Sequence, residues 1–223
     1  GERKGTFLGK CIQLIPHVVD AIKKRAVSLA VKTKAEFLLI EIGGTVGDIE
    51  GDVFLEAMRQ LKHDLGRNHV MHAHLSYIPY LEWANETKTK PTQHSISLLK
   101  HAGITPDALF LRTEKEVATK TTKKLSVMCG IPQDYIFQVP TCKPTFNLFI
   151  ELKNQNVHTK IQEYFGFLPA KKTDISLWKN AIELILKKKD TVKIGLIAKY
   201  VGSNDPYISV IEAIKSARYN YTI

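Results

Sequence analysis

The segment from Glu41 to Glu50 combines carboxylates and glycines in a pattern that suits metal and phosphate chemistry. It reads Glu-Ile-Gly-Gly-Thr-Val-Gly-Asp-Ile-Glu and directly follows the apolar run Phe37–Ile40. A carboxylate that ends a buried strand lies at the carboxyl edge of a sheet, where open α/β folds bind ligands, and it can hold Mg²⁺ against nucleotide phosphates. The glycines let the backbone approach a ligand closely. A plain glycine-rich connection with solvent-facing acids is the alternative that the local sequence leaves open.

A second segment, Lys88–Ser95, has the composition of an anion site. It reads Lys-Thr-Lys-Pro-Thr-Gln-His-Ser and precedes a helical pattern. Two lysines and the free N–H groups of a helix start would converge there, which suits a polyphosphate. The alternative is an exposed basic loop in which Thr92 caps the helix.

Three further groups of residues could do chemistry but give weaker patterns. His72 and His74 share one face of a predicted strand and could ligate a metal, with His69 nearby. Because no cysteine or acid joins them at ligand spacing, we favour structural or surface histidines. Arg112 follows a predicted strand, where it could stack on a base or bind phosphate, or simply be solvated. Lys123-Lys124 could lie on the surface of a helix.

Several classes of site have no pattern in this sequence. We find no G-x-S-x-G, no P-loop G-x-x-x-x-G-K-[ST] and no context for a catalytic cysteine. The three cysteines are scattered without metal spacing, which fits a reducing cytoplasm. There is no apolar run long enough for a membrane span and no signal-peptide pattern.

The chain is basic, with a formal net charge of +10 and a pI of about 9.4. A basic balance suits nucleic acids and polyphosphate nucleotides equally. Much of the excess lies in the runs Lys171-Lys172 and Lys187–Lys189, which have the character of solvated faces or linker. We therefore expect no nucleic-acid partner.

The elements that must position these residues alternate between strand and helix. We predict helices at Val18–Val31, from Phe54 with Asp52 as N-cap, at Ile96–Ala102 and at Thr119–Met128. We predict strands at Phe37–Ile40, residues 69–79, Ala108–Leu111 and Tyr135–Val139. The alternation predicts an α/β fold with a doubly wound, mostly parallel sheet, and the continuous apolar run Phe37–Ile40 predicts a strand buried on both faces.

The composition changes after Leu168. Residues 169–190 are lysine-rich and contain one amphipathic helix (Ile175, Trp178, Ile182, Ile185), so we interpret them as an interdomain linker. A new strand at Val192–Ala198 and a helix at Tyr207–Ala217 then predict the opening of a second α/β domain. The predicted domains are therefore 1–168 and 191–223.

Four groups of motifs follow one another along the chain, namely Gly1–Gly9 with Gln13–His17, Glu41–Glu50 with Phe54–Gln60, Lys88–Ser95, and Ile194–Val201 with Tyr207–Ala213. These motifs resemble those of the CTP synthase family, over essentially the whole chain and in the right order. Dethiobiotin synthetase, a related ligase, lacks the Lys-Thr-Lys-Pro-Thr-Gln motif and the restarted domain.

The resemblance implies an activity and a set of ligands. In that family ATP phosphorylates O4 of UTP, and ammonia from glutamine displaces the phosphate of the 4-phospho-UTP to give CTP. Residues 1–168 would then belong to a P-loop-like amidoligase domain and 191–223 to the start of a glutamine amidotransferase domain. Mg²⁺, ATP as co-substrate, GTP as allosteric activator, a cytoplasmic location and a homotetramer are implied in the same way.

The resemblance also implies roles for particular residues, although it assigns no catalytic residue. Glu41 would be a Mg²⁺ ligand, and Asp48, Ile49 and Glu50 would bind CTP as feedback inhibitor. The triphosphate of UTP or CTP, largely from a neighbouring subunit, would be bound by Lys88, Thr89, Lys90, Pro91, Thr92, Gln93 and Lys124. The ATP adenine would lie near Arg112, Pro140, Thr141 and Cys142.

Two stretches depart from the family pattern, namely Gly51-Asp52 and Val139–Lys143. The family's P-loop and a second metal-binding Asp would precede Gly1, and the glutaminase Cys, His and Glu would follow Ile223. We therefore expect an interior piece that by itself makes no CTP. A non-catalytic nucleotide-binding or assembly module built on the same fold is the alternative.

Overall fold

A computed structural model of the chain describes residues 2–168, 174–187, 192–200 and 205–217. The chain divides into two units. The first comprises residues 1–141 and 148–169, and the second comprises residues 142–147 and 170–223. All of the strands described below belong to the first unit.

The first unit contains five strands, namely β1 (Ala73–Tyr77), β2 (Tyr80–Leu81), β3 (Glu86–Thr87), β4 (Ala108–Thr113) and β5 (Ile136–Pro140). Three of them form a parallel sheet in the order β1-β4-β5. A short antiparallel pair, β2-β3, forms a hairpin after β1.

The α-helices occupy both units of the chain. Those of the first unit are α1 (Val19–Thr33), α2 (Asp52–Leu65), α3 (Lys90–His101), α4 (Thr119–Cys129), α5 (Leu148–Asn154) and α6 (Val157–Tyr164). Those of the second unit are α7 (Ser176–Leu186) and α8 (Ile208–Ala217).

The two faces of the sheet bury different helices, because alternate residues of a strand point to opposite faces. Leu109 and Leu111 of β4 pack with Ile96 of α3 and Leu125 of α4. The alternate residues face α5 and α6, where Ala108 joins a cluster of Phe137, Val157, Phe110, Leu152 and Ile161. The parallel sheet with helices on both faces confirms the predicted α/β class.

Helices α1 and α2 pack against each other around a smaller cluster of Val19, Ala57, Met58 and Leu61. Lys23 of α1 reinforces the pair, since its Nζ donates to Gln60 Oε1 at 3.0 Å and to Asp64 Oδ2 at 2.9 Å. The predicted helices in this region are confirmed, each to within a few residues.

Two predicted strands are wrong. Phe37–Ile40 is not a strand, and Leu39 is 95% exposed rather than buried on both faces. Val192–Ala198 is not a strand either. An apolar run becomes a strand only when a neighbouring backbone pairs with it, and within the described ranges no backbone hydrogen bond joins residues 37–42 to another strand.

Three element boundaries also differ from the predictions. Asp52 is the first residue of α2 rather than its N-cap, and no side chain caps this helix; an acid in the first turn still interacts favourably with the helix dipole. The strand predicted over residues 69–79 is shorter, since β1 spans Ala73–Tyr77 and excludes His72. Helix α3 begins at Lys90, well before Ile96, so most of the lysine motif is helical.

The second unit has its own local contacts. Trp178 Nε1 of α7 donates to the Phe146 carbonyl at 3.0 Å, and the two rings meet edge to face. Helix α7 confirms the amphipathic helix predicted within residues 169–190, and α8 confirms the helix predicted at Tyr207–Ala217. Residues 169–173, 188–191, 201–204 and 218–223 of the predicted linker and second domain lie outside the described residues, and the domain boundaries stay predictions. Across the chain, no helix of the described part is long and apolar enough to cross a membrane.

Candidate functional site

The carboxyl ends of three parallel strands meet at one edge of the sheet. Tyr77 is in register with Arg112, which pairs with Val139 on the next strand. The strand ends at this edge and the segments that follow them carry most of the residues for which we predicted nucleotide binding. Open parallel sheets bind ligands at this edge.

The lysine motif lies directly beside the end of β1. The N–H of Lys88 donates to the Pro79 carbonyl at 2.9 Å, which fixes the backbone where the motif begins. Lys90 and Pro91 form the exposed first turn of α3. The N-terminus of α3 therefore points its unpaired N–H groups toward the same edge as the lysines, as an anion site requires.

The threonines of the motif face inward. Thr92 is fully buried, and its hydroxyl accepts a hydrogen bond from Ser76 Oγ of β1 at 3.1 Å. Thr89 is also buried, and Gln93 Nε2 donates to its hydroxyl at 2.9 Å. The motif thus divides into residues that present charge (Lys88, Lys90) and residues that hold the helix against the sheet.

A second polar contact lies under the same helix. His74 of β1 is buried, and its Nε2 lies 3.0 Å from Ser95 Oγ of α3. Burial lowers the pKa of His74 below the ordinary histidine value. His74 and Ser76 were not predicted as part of this site, although their alternation in β1 places both on the face toward the helix.

Lysines from the loop after β3 and from α4 converge near Glu86 of the hairpin. Lys88 Nζ donates to Glu86 Oε2 at 2.5 Å. This hydrogen bond is the main reason why the pKa of the exposed Glu86 is lowered, and the charges of Lys88, Lys124 and Lys120 act in the same direction. Helix α4 therefore brings Lys124, which was predicted to bind the triphosphate together with Lys88–Gln93, close to the lysine motif. Lys120, one turn earlier on α4, is a further lysine here that the prediction missed.

Arg112 and Thr141 also come together at this edge. Arg112 Nη1 donates to Thr141 Oγ1 at 2.7 Å and lies 3.4 Å from the Val139 carbonyl. The N–H of Thr141 donates to the Thr113 carbonyl at 3.1 Å, which extends the β4-β5 pairing past Pro140. Three of the four residues predicted near adenine thus adjoin one another, whereas Cys142 belongs to the second unit.

The glycine-rich acidic loop folds back on itself through Asp48. Asp48 Oδ2 accepts the Thr45 N–H at 2.9 Å, and the Asp48 N–H donates to the Thr45 carbonyl at 3.0 Å. Gly44 and Gly47 have φ values of +91° and +99°, a left-handed backbone that favours glycine. A Cβ on Gly47 would lie 3.4 Å from Leu98 of α3, so the loop passes close to that helix.

Glu41 is exposed at the start of this loop. In the described part of the chain no hydrogen bond or ion pair connects it to the lysines, and no group of three or more His, Cys, Asp or Glu side chains is arranged to hold a metal ion. A single carboxylate does fit Mg²⁺ when phosphates and water supply the other ligands.

A cavity of about 720 Å³ adjoins the acidic loop. Ile49 and Glu50 line it, together with Leu14, Ile15, Asp52, Val53, Glu56, Leu98 and Ala102. The hydrogen bonds from Arg59 and then Gln60 lower the pKa of Glu56 to about 2, so this carboxylate is charged at neutral pH. The lining is mainly apolar with acids at its wall, so the cavity can pack against an apolar face and accept hydrogen bonds from hydroxyl or amino groups. Glu56 was not among the predicted residues, although it lies in the Phe54–Gln60 motif.

The histidines do not form a metal-binding group within the described residues. His74 bonds Ser95, as described above. The buried Nε2 of His72 has no partner in hydrogen-bond geometry among the described residues, and the pKa of His72 is lowered by burial first and by the charge of Lys62 next. His69 is exposed.

Comparison with known proteins gives a consistent picture. The chain matches the sequence profile of the family described as CTP synthase N-terminus over residues 1–167. It is similar to the CTP synthase of Onion yellows phytoplasma (strain OY-M), with 39% identity over 220 residues, which is 99% of this chain and 41% of that protein. It is similar to the CTP synthase of Mycobacterium ulcerans (strain Agy99), with 39% identity over 224 residues, 99% of this chain and 38% of that protein.

An archaeal relative aligns in the same way. The CTP synthase of Methanothermobacter thermautotrophicus is 38% identical over 216 residues, which cover 97% of this chain and 40% of that protein. The chain therefore spans about two fifths of the length of the curated relatives that it matches.

Proposed function

This chain belongs to the CTP synthase N-terminus family, and from that premise we propose that it forms the nucleotide-binding part of an enzyme that aminates UTP to CTP. In this proposal the reaction consumes ATP, proceeds through 4-phospho-UTP and uses ammonia from glutamine. The observation that carries the proposal is the convergence of Lys88, Lys124 and Lys120 at the carboxyl edge of the sheet.

The lysine cluster supplies the electrostatic part of this chemistry. Phosphoryl transfer depends on positioning and charge neutralisation more than on covalent catalysis, so lysines near helix N-termini are suitable groups. Glu86 pairs with the Lys88 ammonium, and a triphosphate would compete with Glu86 for that group. We assign the UTP or CTP triphosphate to Lys88, Lys90 and Lys124.

The neighbouring groups take the remaining roles. Arg112 and Thr141, joined at 2.7 Å, form the wall against which we place the ATP adenine. Ile49 and Glu50 line the cavity in which we place the ribose and base of the product CTP. Asp48 stabilises the loop that carries them through its bond to the Thr45 N–H.

Glu41 would hold Mg²⁺ in this proposal. The bound ion would neutralise phosphate charge, and Glu41 itself would supply one carboxylate ligand from the exposed start of the acidic loop. GTP activation, a homotetramer and a cytoplasmic location belong to the same proposal and rest on family membership.

The proposal is tested by comparing two adjacent lysines of α4 in the complete protein as its gene encodes it. Lys124→Ala should raise the KM for UTP roughly ten- to a hundredfold, as expected for the loss of a charge-assisted hydrogen bond to phosphate. Lys123→Ala is the matched control, because Lys123 is equally exposed on the same helix.

The assay follows CTP formation from UTP, ATP and either glutamine or ammonium chloride. Equal effects of the two substitutions would remove Lys124 from the site. A complete protein that binds UTP but forms no CTP with either nitrogen source would reject the enzyme in favour of a nucleotide-binding module.

A further inference from the structure

Two glutamine side chains join β5 to the segments on either side of it. Gln138 of β5 accepts the Val117 N–H at 2.8 Å through Oε1 and donates from Nε2 to the Val117 carbonyl at 3.0 Å. Gln155 accepts the Gln138 N–H at 2.7 Å and donates to the Gln138 carbonyl at 2.8 Å. Each carboxamide thus pairs with both backbone groups of one residue.

At Gln138, the Gln155 side chain makes the two backbone hydrogen bonds that a neighbouring strand would otherwise make. A residue in a strand presents its N–H and C=O on the same side, and those of Gln138 point away from β4. The Gln155 carboxamide completes this pair, and its Nε2 also lies 3.2 Å from the Glu151 carbonyl of α5. The backbone of β5 is thereby fixed at Gln138, two residues before Pro140.

Gln138 in turn fixes the connection between β4 and α4. Val117 lies in the loop from Glu114 to Ala118, which starts just after Arg112 and Thr113 and leads into α4. The Val117 side chain is buried with Leu111 and Leu125, so the loop has one apolar anchor and one polar anchor. The two anchors together set where α4 begins relative to the end of β4.

We propose that Gln138 is a positioning residue that sets the spacing between the Arg112–Thr141 pair and Lys124 of α4. Arg112 bonds Thr141, which is three residues beyond Gln138. The loop held by Gln138 leads to the helix that carries Lys124. One side chain therefore connects the backbone beside the adenine wall to the helix of the triphosphate lysine. This inference rests on the roles assigned under the proposed function.

The chemistry of the position is specific to a carboxamide. Val117 offers one donor and one acceptor, and only a group with one of each, at the length of glutamine, satisfies both. A carboxylate would still accept the Val117 N–H but would set its second oxygen, an acceptor, against the Val117 carbonyl. An apolar side chain would leave both backbone groups of Val117 without these partners. A protonated carboxyl group, in contrast, again carries one donor and one acceptor.

The test uses Gln138→Met and Gln138→Glu in the complete protein, with Asn68→Leu as the control, because Asn68 is exposed and its side chain makes no hydrogen bond within the described residues. Backbone hydrogen exchange is measured for a peptide covering residues 114–119, and dissociation constants for ATP and UTP are measured by calorimetry. For Gln138→Met we expect exchange about tenfold faster in that peptide and roughly tenfold weaker binding of both nucleotides, which corresponds to the loss of one or two neutral hydrogen bonds.

Gln138→Glu gives a second measurement, the pH dependence of nucleotide affinity, which a residue that only stabilised the fold would not change. At pH 8 its carboxylate should weaken nucleotide binding as in Gln138→Met, and near pH 5, relative to the native protein at the same pH, protonation should restore part of the affinity. This variant also keeps the test open if Gln138→Met does not fold.

Each result decides the proposal. Unchanged hydrogen exchange at residues 114–119 in both variants would overturn it. Faster exchange with unchanged dissociation constants would overturn it too, since Gln138 would then hold the loop without positioning the nucleotide-binding residues. A native protein that binds both nucleotides but makes no CTP would reject the proposed function alone, because the exchange and binding measurements would still decide the role of Gln138.

Discussion

Thr92 shows how one motif supplies both ligand-facing and structural residues. Its side chain is fully buried against Ser76 of β1, whereas Lys90, two residues earlier, is exposed. Residues at these positions of a helix point to different sides. The inward threonine fixes the register of α3, and that register determines where Lys88 and Lys90 present their charges.

Glu41 provides the first prediction, at the scale of the residue. In the complete protein, Glu41→Ala should lower CTP synthesis about a hundredfold or more, because loss of a metal-binding carboxylate removes charge stabilisation at the transferred phosphate. Glutamine hydrolysis should persist, since we place it in another domain. The measurement is the rate of CTP formation beside the rate of glutamate release.

Glu36→Ala is the matched control for this prediction, because Glu36 is exposed just before the same segment. It should leave both rates unchanged. CTP synthesis at the native rate in Glu41→Ala would show that the acid is an ordinary loop residue.

At the scale of the element, the contact between β1 and α3 depends on buried polar groups. His74 with Ser95, and Ser76 with Thr92, connect the strand to the helix that carries the lysine motif. Buried polar groups of this kind stabilise one arrangement only while each partner is satisfied. A positive charge on His74 would have to be accommodated in the same buried space.

The pH dependence of stability follows from this contact. Burial lowers the pKa of His74, and of His72, below the unfolded value of 6.5. The unfolded chain therefore binds more protons in this range, so the free energy of unfolding is highest above pH 6.5 and falls as the pH decreases. Urea unfolding at pH 7.5 and 5.5 should show a smaller decrease in His74→Gln than in the native chain.

His94→Gln is the control for this measurement, because His94 lies exposed on α3. It should show the native decrease. The carboxylate of Glu56 does not contribute to this decrease, since its pKa is lowered to about 2 and its effect on stability lies at lower pH. An undiminished decrease in His74→Gln would assign the effect to His72 or to other groups.

From the sequence, the elements that pack against the next elements along the chain were predicted correctly. The strands that would have to pair with a distant segment were predicted wrongly. The β1-α3-β4-α4-β5 series was predictable because each strand is followed by the helix that covers it. Phe37–Ile40 has the same apolar character, but strand pairing is a tertiary property that the run itself does not contain.

The positions of the candidate site residues were predictable to a similar extent. The motifs singled out Lys88, which lies beside the end of β1, and Glu50, which lines the cavity. That either residue binds a ligand stays a prediction. The motifs did not reveal that Thr89 and Thr92 face inward, or that Glu56 lines the cavity with Glu50. They also gave no sign of Gln138, because a single glutamine in a strand has no pattern until the fold brings Val117 beside it.

At the scale of the whole molecule, the net charge of +10 has a local counterpart at the sheet edge. Lys88, Lys120 and Lys124 all act on the one carboxylate of Glu86. A basic cluster of this density attracts polyphosphates and would repel a like cluster on another copy of the chain. An anionic ligand held between two copies would relieve that repulsion.

Nucleotide-driven assembly is the prediction that belongs to this scale. If the Lys88–Gln93 motif binds a triphosphate shared between subunits, UTP or CTP should promote tetramer formation, because a ligand that binds only the assembled state stabilises it by mass action. Lys88→Ala in the complete protein should then raise the UTP concentration needed for assembly and the KM for UTP together. ATP binding should change less, because we place ATP near Glu41 and Arg112. Sedimentation velocity with and without UTP measures the effect, with Lys123→Ala as the control of equal charge. Identical UTP-dependent profiles for the native protein and Lys88→Ala would mean that the motif does not hold a shared nucleotide, as expected of a solvated surface lysine whose ion pair with Glu86 contributes little.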